Sequence, residues 1–214
     1  MAEIKDYSLY LVISEEYGAG KSAMEIARLA VAGKVDIIQM REKNRTRDEL
    51  VKLACELSRF CKEKRVVFIV NDDPWIAKEC DASGVHLGQE DILKYDITGT
   101  RKILGKGKII GVSTHSLAQL NSANEKDIDY IAYGPIFPTK TKDYFLGFKD
   151  MKEVLKIARK PVFFIGGINL SNLDEILEQG AKNIAVIRGI IQAEDIIGIA
   201  KNFKDRLIRE KERG

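Results

Sequence analysis

The feature that most limits the fold of this chain is the alternation of short apolar runs with amphipathic segments along its length. The predicted strands are Leu9–Ile13, Asp36–Met40, Val66–Val70, Gly84–Leu87, Ile109–Val112, Tyr130–Gly134, Val162–Ile165 and Ile184–Ile187. The predicted helices are Ser22–Ala32, Arg47–Lys64, Pro74–Glu79, Ile97–Leu104, Leu117–Glu125, Lys149–Ala158, Leu173–Gln179 and Ile196–Arg209. Strands that alternate with helices are typical of a parallel sheet covered by helices.

Eight strand–helix units in 214 residues predict an α/β fold, a single (β/α)8 TIM barrel. A doubly wound open sheet is the alternative, because strand order cannot be read from one sequence. The sequence has no Pro-, Ser- or Gly-rich linker, so residues 1–214 are predicted to form one catalytic barrel domain. In a barrel, functional residues are expected at the C-terminal ends of the strands.

Several helix starts carry capping signals. Thr46 with Glu49 and Ser171 with Asp174 have the spacing of a capping box, which predicts a helix N-terminus at each place. Asp73 precedes a proline, a pattern typical of an N-cap followed by the first helical turn. If Asp73 caps this helix, the Asp72 side chain is left free to project into the mouth of the barrel.

Charge and hydropathy exclude some classes of protein. The 35 basic and 32 acidic residues give a net charge of +3, which predicts no nucleic-acid partner. No apolar run reaches the length of a membrane span, and the N-terminus does not read as a signal peptide. The expectation is therefore a cytoplasmic protein without a membrane partner. Homo-oligomer formation is left open.

Cysteine and histidine usage predicts structural roles for both residue types. Cys55, Cys61 and Cys80 lie in helical patterns without the paired spacing of metal ligands, so they are predicted to be buried thiols. His86 alternates inside a predicted strand, and His115 precedes a helix start. Neither histidine has a nucleophile or metal partner nearby in sequence, which favours a structural role over a catalytic one.

Polar residues follow the second predicted strand. Gln39, Arg41 and Lys43 alternate with Met40, so they are expected on one face of the strand. Polar groups at the end of a buried strand are costly without partners. The fork of an arginine and the point charge of a lysine suit a polyphosphate or a carboxylate. The alternative is a strand that runs out into a solvated loop.

Two acidic residues follow the next two strands. Asp72 comes just after the third strand and Asp91 shortly after the fourth, so neighbouring strands present two carboxylates near one point. Magnesium prefers a few carboxylate oxygens together with substrate phosphate and water. With Arg41 and Lys43 expected close by, these residues predict a magnesium–pyrophosphate site. Taken singly, each aspartate is more often a cap or turn residue.

Later strand ends add hydroxyls, a lysine and glycines. Thr139 and Thr141 offer hydroxyls two residues apart after the sixth strand, and Lys142 stands at the root of the loop that follows. Gly166 and Gly167 follow the seventh strand, and their amides suit a phosphate, which barrels commonly bind there. An ordinary tight turn is the alternative explanation for the two glycines.

Taken together, the chain resembles the thiamine phosphate synthase family from about Leu9 to Asp195. The six motifs, in order, are Q-x-R-x-K from Gln39, N-D-D from Asn71, G-x-H-x-G-Q-x-D from Gly84, G-x-S-x-H from Gly111, G-P-x-F-P-T-x-T-K from Gly134 and G-G-I from Gly166. Members join 4-amino-5-hydroxymethyl-2-methylpyrimidine diphosphate to a thiazole phosphate and release pyrophosphate. The pyrimidine carbon–oxygen bond ionises first, and the thiazole nitrogen captures the cation.

The resemblance implies a role for each matching residue. The pyrimidine diphosphate would be held by Gln39, Met40, Arg41, Glu42, Lys43, Asn71, Ser113 and Lys142. The thiazole phosphate would be met by Thr139, Lys140, Thr141, Gly167, Ile187 and Arg188. Asp72 and Asp91 would bind Mg²⁺, and the expected catalytic residues are Arg41, Lys43, Ser113 and Lys142. The partners implied are the two small-molecule substrates.

The chain departs from the family at Arg188, where members usually have serine. Its guanidinium is predicted to reach the thiazole phosphate, and the competing view is that only its backbone amide takes part. A related thiazole tautomerase branch usually has histidine where Gln39 and Pro135 stand and lacks the second aspartate motif. A catalytically silent phosphate-ligand-binding barrel is the third reading, and the presence of Asp72 and Asp91 argues against it.

Overall fold

The computed structural model describes residues 3–140 and 143–213, so Thr141 and Lys142 lie outside the described residues. The strands are β1 Leu9–Ile13, β2 Ile37–Met40, β3 Val67–Asn71, β4 Gly84–Leu87, β5 Ile109–Thr114, β6 Tyr130–Tyr133, β7 Val162–Ile165 and β8 Asn183–Val186. Each strand pairs in parallel with the next, and β8 pairs with β1 to close an eight-stranded barrel. The TIM-barrel prediction is confirmed, and the open-sheet alternative is wrong.

Helices connect successive strands on the outside of the barrel. They are α1 Ala23–Ala32, α2 Arg47–Lys64, α3 Pro74–Glu79, α4 Asp91–Lys94, α5 Ile97–Leu104, α6 Leu117–Asn124, α7 Met151–Ile157, α8 Leu173–Glu178, α9 Arg188–Ile191 and α10 Ile196–Arg213. The sequence did not predict α4, α9 or the short 3-10 turn Glu15–Tyr17 that follows β1. Each is about one turn long, which is too short for helical periodicity to be visible.

The strands bury side chains on both faces, so the barrel has two apolar layers. Ile38 and Met40 of β2 belong to the outer layer between the sheet and the helices. Tyr10, Tyr130 and Phe163 belong to the inner layer. Their rings meet edge to face, with centroids 5.2–5.8 Å apart. This aromatic layer fills the middle of the barrel below the ends of the strands.

Gly111 makes room for one of these rings. A Cβ atom at position 111 would lie 1.9 Å from Cζ of Tyr130, far inside contact distance. Any larger residue on this part of β5 would therefore displace the Tyr130 ring from the barrel interior.

The predicted helix caps are mostly present. The Thr46 and Glu49 side chains form a complete capping box, and the Asp73 carboxylate accepts hydrogen bonds from two amides at the start of α3. The prediction for Ser171 is wrong, because α8 starts at Leu173 and the Ser171 hydroxyl instead donates to Oδ1 of Asn169 at 2.5 Å. The Asn169 side chain folds this turn back on itself and so delays the helix.

The three cysteines are at least partly buried, and the long helices α2 and α10 are amphipathic. Cys61 and Cys80 are buried, Cys55 is half-buried, and all three are free thiols. In residues 3–140 and 143–213, no helix combines the length and the apolar composition that a membrane crossing requires.

Candidate active site

A cavity of about 1070 Å³ opens at the carboxyl ends of the strands. This volume is at the upper end of what small-molecule sites usually have. Of the residues predicted from the sequence, the cavity is lined by Gln39, Arg41, Lys43, Asn71, Asp72, Asp91, Ser113, Thr139, Lys140, Gly167, Ile187 and Arg188. The structure thus gathers residues from widely separated units around one space.

Two residues of the Gln39–Lys43 segment do not line this cavity with the others. Met40 is buried in the outer apolar layer, on the opposite face of β2 from Gln39. The Glu42 carboxylate accepts a hydrogen bond from the backbone amide of Glu15 at 2.7 Å, and burial raises the pKa of Glu42. Strand alternation is the reason, since it turns residues 40 and 42 away from the cavity.

Asp72 and Asp91 lie side by side at the ends of β3 and β4. The Asp72 backbone has φ 67°, and its amide donates to the carbonyl of His86 at 2.8 Å. Asp91 accepts from the Gly88 amide at 2.9 Å. Asp91 is also close enough to Asp72 to raise the pKa of its carboxyl group. The backbone around each residue therefore aims both side chains at one point.

The electrostatics of this pair reflect two acids in a partly buried place. Burial first, and then the neighbouring Asp91, raise the pKa of Asp72 to about 7, although the charges of Arg41 and Lys43 oppose the shift. Two neighbouring carboxylates in a partly buried site favour keeping one proton between them unless a cation takes its place. Carboxylate oxygens are the ligands that Mg²⁺ prefers, so the pair fits that ion.

Two carboxylates alone do not complete a metal centre. Among the residues that the structure describes, no group of three or more His, Cys, Asp or Glu side chains is placed to hold a metal ion. Magnesium usually takes its remaining ligands from substrate phosphate and water. The arrangement therefore suits a Mg²⁺ ion that binds together with a diphosphate.

Arg41 and Lys43 supply positive charge next to the acidic pair. Both line the cavity, and both are close enough to lower the pKa of Asp72. Neither cation forms a short ion pair with a carboxylate of the described part of the chain. Their charges therefore remain available to an anionic ligand.

A chain of hydrogen bonds crosses the barrel beneath the cavity. Gln39 Nε2 donates to the Tyr10 hydroxyl at 2.7 Å, and this hydroxyl lies 2.8 Å from that of Tyr130. The Tyr130 hydroxyl lies 2.9 Å from Nδ1 of His86, whose Nε2 lies 2.8 Å from Oγ of Ser113. This series of hydrogen bonds joins the Gln39 side chain on β2 to the Ser113 side chain on β5, across the barrel.

The order of donors and acceptors along this series of hydrogen bonds follows from giving every buried N–H and O–H group an acceptor. Because Tyr10 accepts from Gln39, its own hydrogen goes to Tyr130, and the Tyr130 hydrogen goes to Nδ1 of His86. Burial lowers the pKa of His86 to about 4, so near pH 7 the ring is neutral and carries its proton on Nε2. His86 therefore donates to Ser113. The Ser113 hydroxyl hydrogen is left free to be donated to a ligand in the cavity.

Sequence reasoning gave His86 a structural role and did not connect it with Ser113. The two residues lie on adjacent strands, and His86 pairs with Gly111 in the register of β4 and β5. Their common inward face was a signal that strand alternation could have supplied. The His115 Nδ1 lies 2.6 Å from the Gly134 carbonyl oxygen, so this histidine ties the end of β5 to the end of β6.

The burial of His86 predicts a pH dependence of stability. Its folded-state pKa of about 4 lies below the ordinary value of 6.5. Its contribution to the free energy of unfolding is therefore complete above pH 6.5 and is lost as the pH falls toward 4. Relative to the non-titrating variant His86→Gln, the wild-type protein is expected to lose up to about 3 kcal/mol of stability across this range.

Urea unfolding of both proteins between about pH 7 and pH 4 measures this effect. Asp72, whose raised pKa has the opposite sign, contributes to both proteins and cancels in their difference. A difference in stability that stays constant with pH would show that the His86 ring is not held neutral by burial.

The loops after β7 and β8 approach each other at the cavity edge. Gly166 and Gly167 have φ of 101° and 70°, a backbone region that favours glycine. A Cβ atom at Gly167 would lie 2.6 Å from the Pro138 carbonyl oxygen, and one at Gly189 would lie 2.6 Å from that of Ile168. The close approach turns the backbone of three loops toward the same part of the cavity.

The Arg188 side chain lies at the cavity wall and does not turn outward. Its Cζ atom is 4.1 Å from the ring centroid of Tyr17, and both residues line the cavity. No sequence pattern singled out Tyr17, which belongs to the 3-10 turn after β1. The closing pair of strands, β8 and β1, brings the two side chains together.

Comparison with known proteins identifies relatives of this chain. A family model described as thiamine monophosphate synthase matches residues 9–190. The sequence is 39% identical over 196 residues to the thiamine-phosphate synthase of Persephonella marina, covering 91% of this chain and 92% of that one. It is 39% identical over 202 residues to the thiamine-phosphate synthase of Methanocella arvoryzae, covering 92% and 93%. The thiamine phosphate pyrophosphorylase of Pyrococcus furiosus has a TM-score of 0.86 at 31% identity, covering 95% and 96%.

Proposed function

Because the chain belongs to the thiamine monophosphate synthase family, we propose that its cavity carries out the thiamine-phosphate synthase reaction, which joins a pyrimidine diphosphate to a thiazole phosphate. The substrates are 4-amino-5-hydroxymethyl-2-methylpyrimidine diphosphate and the thiazole phosphate, and the second product is pyrophosphate. The observation that carries the proposal is the Asp72–Asp91 pair facing Arg41 and Lys43 in one cavity. Two carboxylates and two cationic side chains in one cavity suit a diphosphate with its divalent metal ion.

The diphosphate is bound at the ends of β2, β3 and β4. Arg41 and Lys43 contact its oxygens, and Asp72 and Asp91 would hold a Mg²⁺ ion beside it. The ion, when bound, supplies positive charge that offsets the charge developing on the leaving group. Asn71 at the end of β3 and the hydroxyl hydrogen of Ser113 on β5 add neutral donors to the cavity.

The reaction is dissociative. The carbon–oxygen bond of the pyrimidine breaks first, and its electron pair leaves with the pyrophosphate. The thiazole nitrogen then forms the new bond with its own lone pair, so no proton has to be removed from the nucleophile. This agrees with a neutral His86 that is already engaged at both ring nitrogens and is not poised as a base.

The thiazole phosphate is bound on the opposite side, by the loops after β6, β7 and β8. The residues proposed for it are Thr139, Lys140, Gly167, Ile187 and Arg188, all of which line the cavity. Thr141 as a phosphate ligand and Lys142 as a catalytic cation stay predictions, because both lie outside the described residues.

Further aspects of the proposal concern the protein as a whole. Residues 1–214 act as one catalytic unit, which the near-complete coverage of the relatives supports. The enzyme works in the cytoplasm on small molecules, with no nucleic-acid or membrane partner. A homo-oligomer is compatible with every role assigned above, since none of them requires a second copy.

A coupled assay of pyrophosphate release tests the function. With both substrates and Mg²⁺, the purified protein is expected to release pyrophosphate and form thiamine phosphate in equal amounts. A tautomerase would convert an isomeric thiazole without releasing pyrophosphate, and a silent ligand-binding barrel would do neither. Binding of both substrates without any product would overturn the proposed reaction.

A further inference from the structure

Tyr17 and Arg188 form a cation–π pair that has no joint role in the proposed reaction. Tyr17 ends the 3-10 turn after β1, and Arg188 begins α9 after β8. Both are half-buried, and the guanidinium carbon lies 4.1 Å from the ring centroid. A cation at this distance from an aromatic face is held by the ring.

The contact with the ring leaves N–H donors of the guanidinium available. A guanidinium has five N–H donors, more than one contact with a single ring occupies. Arg188 forms no ion pair with a carboxylate of residues 3–140 or 143–213. Of the two acids in the turn of Tyr17, Glu15 is already engaged, since it pairs with Arg45 and accepts from the Ala23 amide at 2.7 Å. The other, Glu16, is exposed and forms no ion pair with Arg188 in the described part of the chain. A cation is thus held at the cavity wall with no ion-pair partner among the residues that the structure describes.

The aromatic platform is itself anchored. The Tyr17 amide donates to the Ser14 carbonyl at 3.1 Å, which fixes the turn to the end of β1. The Glu15 amide donates to Glu42 at 2.7 Å, which ties the same turn to the segment after β2. A ring on an anchored turn limits where the long Arg188 side chain can go, and so lowers the entropy cost of using it.

We propose that Tyr17 is a positioning residue that holds the Arg188 guanidinium over the phosphate subsite, so that the pair selects the phosphorylated thiazole over its uncharged alcohol. The inference rests on the proposed function for the identity of the second substrate. It makes charge the basis of this selection. Gly189, next to Arg188, touches the loop that carries Gly167, which puts the cation at the edge of the glycine-lined backbone.

Steady-state kinetics of three variants test the proposal. Arg188→Ser removes the charge, Tyr17→Leu removes the ring but keeps apolar bulk, and Tyr17→Phe keeps the ring. The first two are expected to raise the KM for thiazole phosphate about ten-fold, the loss typical of a charged hydrogen bond. The KM for the pyrimidine diphosphate should stay within about two-fold of wild type, since that ligand lies near Arg41. Tyr17→Phe is expected to rescue the wild-type KM.

The coupling between the two residues gives a sharper measurement. If Tyr17 acts through Arg188, adding Tyr17→Leu to Arg188→Ser should change the KM for thiazole phosphate by less than about two-fold. The ratio of kcat/KM for thiazole phosphate to kcat/KM for the unphosphorylated alcohol should fall about ten-fold in Arg188→Ser and in Tyr17→Leu. Tyr95→Leu is a matched control, because Tyr95 also carries a cation, Lys94 at 4.7 Å, but is not among the cavity-lining residues.

Several outcomes would overturn the proposal. Unchanged KM values in Arg188→Ser would show that the guanidinium makes no contact with the phosphate. Additive effects of the two substitutions would show that Tyr17 does not act through Arg188, and a rise of both KM values in Tyr17→Leu would show a merely structural role. Calorimetric titration with thiazole phosphate needs no turnover. It therefore tests the pair even if the wild-type protein fails to make thiamine phosphate, a result that would overturn only the proposed reaction.

Discussion

Asp72→Asn is expected to lower kcat by about 100-fold or more while the barrel stays folded. The substitution removes one of the two charges that face the diphosphate and its ion, and leaves the shape of the side chain nearly unchanged. Asparagine is the better replacement than alanine, because residue 72 has φ 67° and asparagine tolerates this backbone region. Loss of activity then reports on the carboxylate and not on backbone strain.

Asp73→Asn is the matched control. Asp73 caps α3 through Oδ1, at 2.8 Å from the Trp75 amide and 3.1 Å from the Ile76 amide, and asparagine caps helices equally well. It is not among the residues that line the cavity, so the control should retain wild-type turnover. Rates are measured by pyrophosphate release at saturating Mg²⁺ and again in excess chelator. Normal turnover of Asp72→Asn, or of the wild-type enzyme in chelator, would show that the metal assignment is wrong.

The Asp72→Asn variant is also expected to be more stable than the wild-type protein at neutral pH without metal. The folded-state pKa of Asp72, about 7, lies above the 3.8 of an exposed aspartate. Its presence therefore lowers the free energy of unfolding progressively as the pH rises from about 4 to about 7, and that cost remains at higher pH. Thermal melting at about pH 8 in chelator measures the difference. A variant that is less active and yet more stable would mark a site selected for function.

Arg41→Gln is expected to lower kcat by about 100-fold or more as well. The reason is that Arg41 lies at the cavity wall beside the acidic pair, where the leaving pyrophosphate gains negative charge. Arg41→Lys should retain part of the rate, because it keeps the charge but loses the two-pronged contact. Single-turnover measurement of pyrophosphate release separates this loss from any change in binding.

Arg47→Gln serves as the control for Arg41. Arg47 pairs with Glu79 on the exposed surface at 2.7 Å, and such pairs contribute little to stability. Its turnover should equal that of the wild-type enzyme. If Arg41→Gln released pyrophosphate at the wild-type rate in a single turnover, the charge that stabilises the leaving group would have to come from elsewhere.

Much of the fold could be predicted from the sequence, because parallel strands that are buried on both faces produce short apolar runs at regular intervals. The predicted boundaries of β1, β4 and β7 coincide with the observed ones, and α2 was predicted to the residue. Ser171 was misread because a capping box is a local pattern, whereas the Asn169 side chain reorganises the turn in which it stands. Local spacing does not report such competition.

The site was predicted where neighbouring strand ends carry charged residues, and missed where its parts are joined across the barrel. Strand alternation brings Arg41 and Asp72 to one cavity, and this could be read from the chain. The link from Gln39 to Ser113 could not, because it passes through Tyr10, Tyr130 and His86 on other strands. Hydrogen bonds between residues that are distant in sequence leave no periodic signal.

The pairing of β1 with β8 sets an order on the assembly of the enzyme during its synthesis. Tyr17 is synthesised 171 residues before Arg188, yet the two side chains meet at one wall of the cavity. A nascent chain that lacks the final unit therefore has no completed phosphate wall, whatever the state of its earlier strands. Thiazole phosphate is thus suited to distinguish finished barrels from partial ones, since it would stabilise only chains in which the last strand has docked.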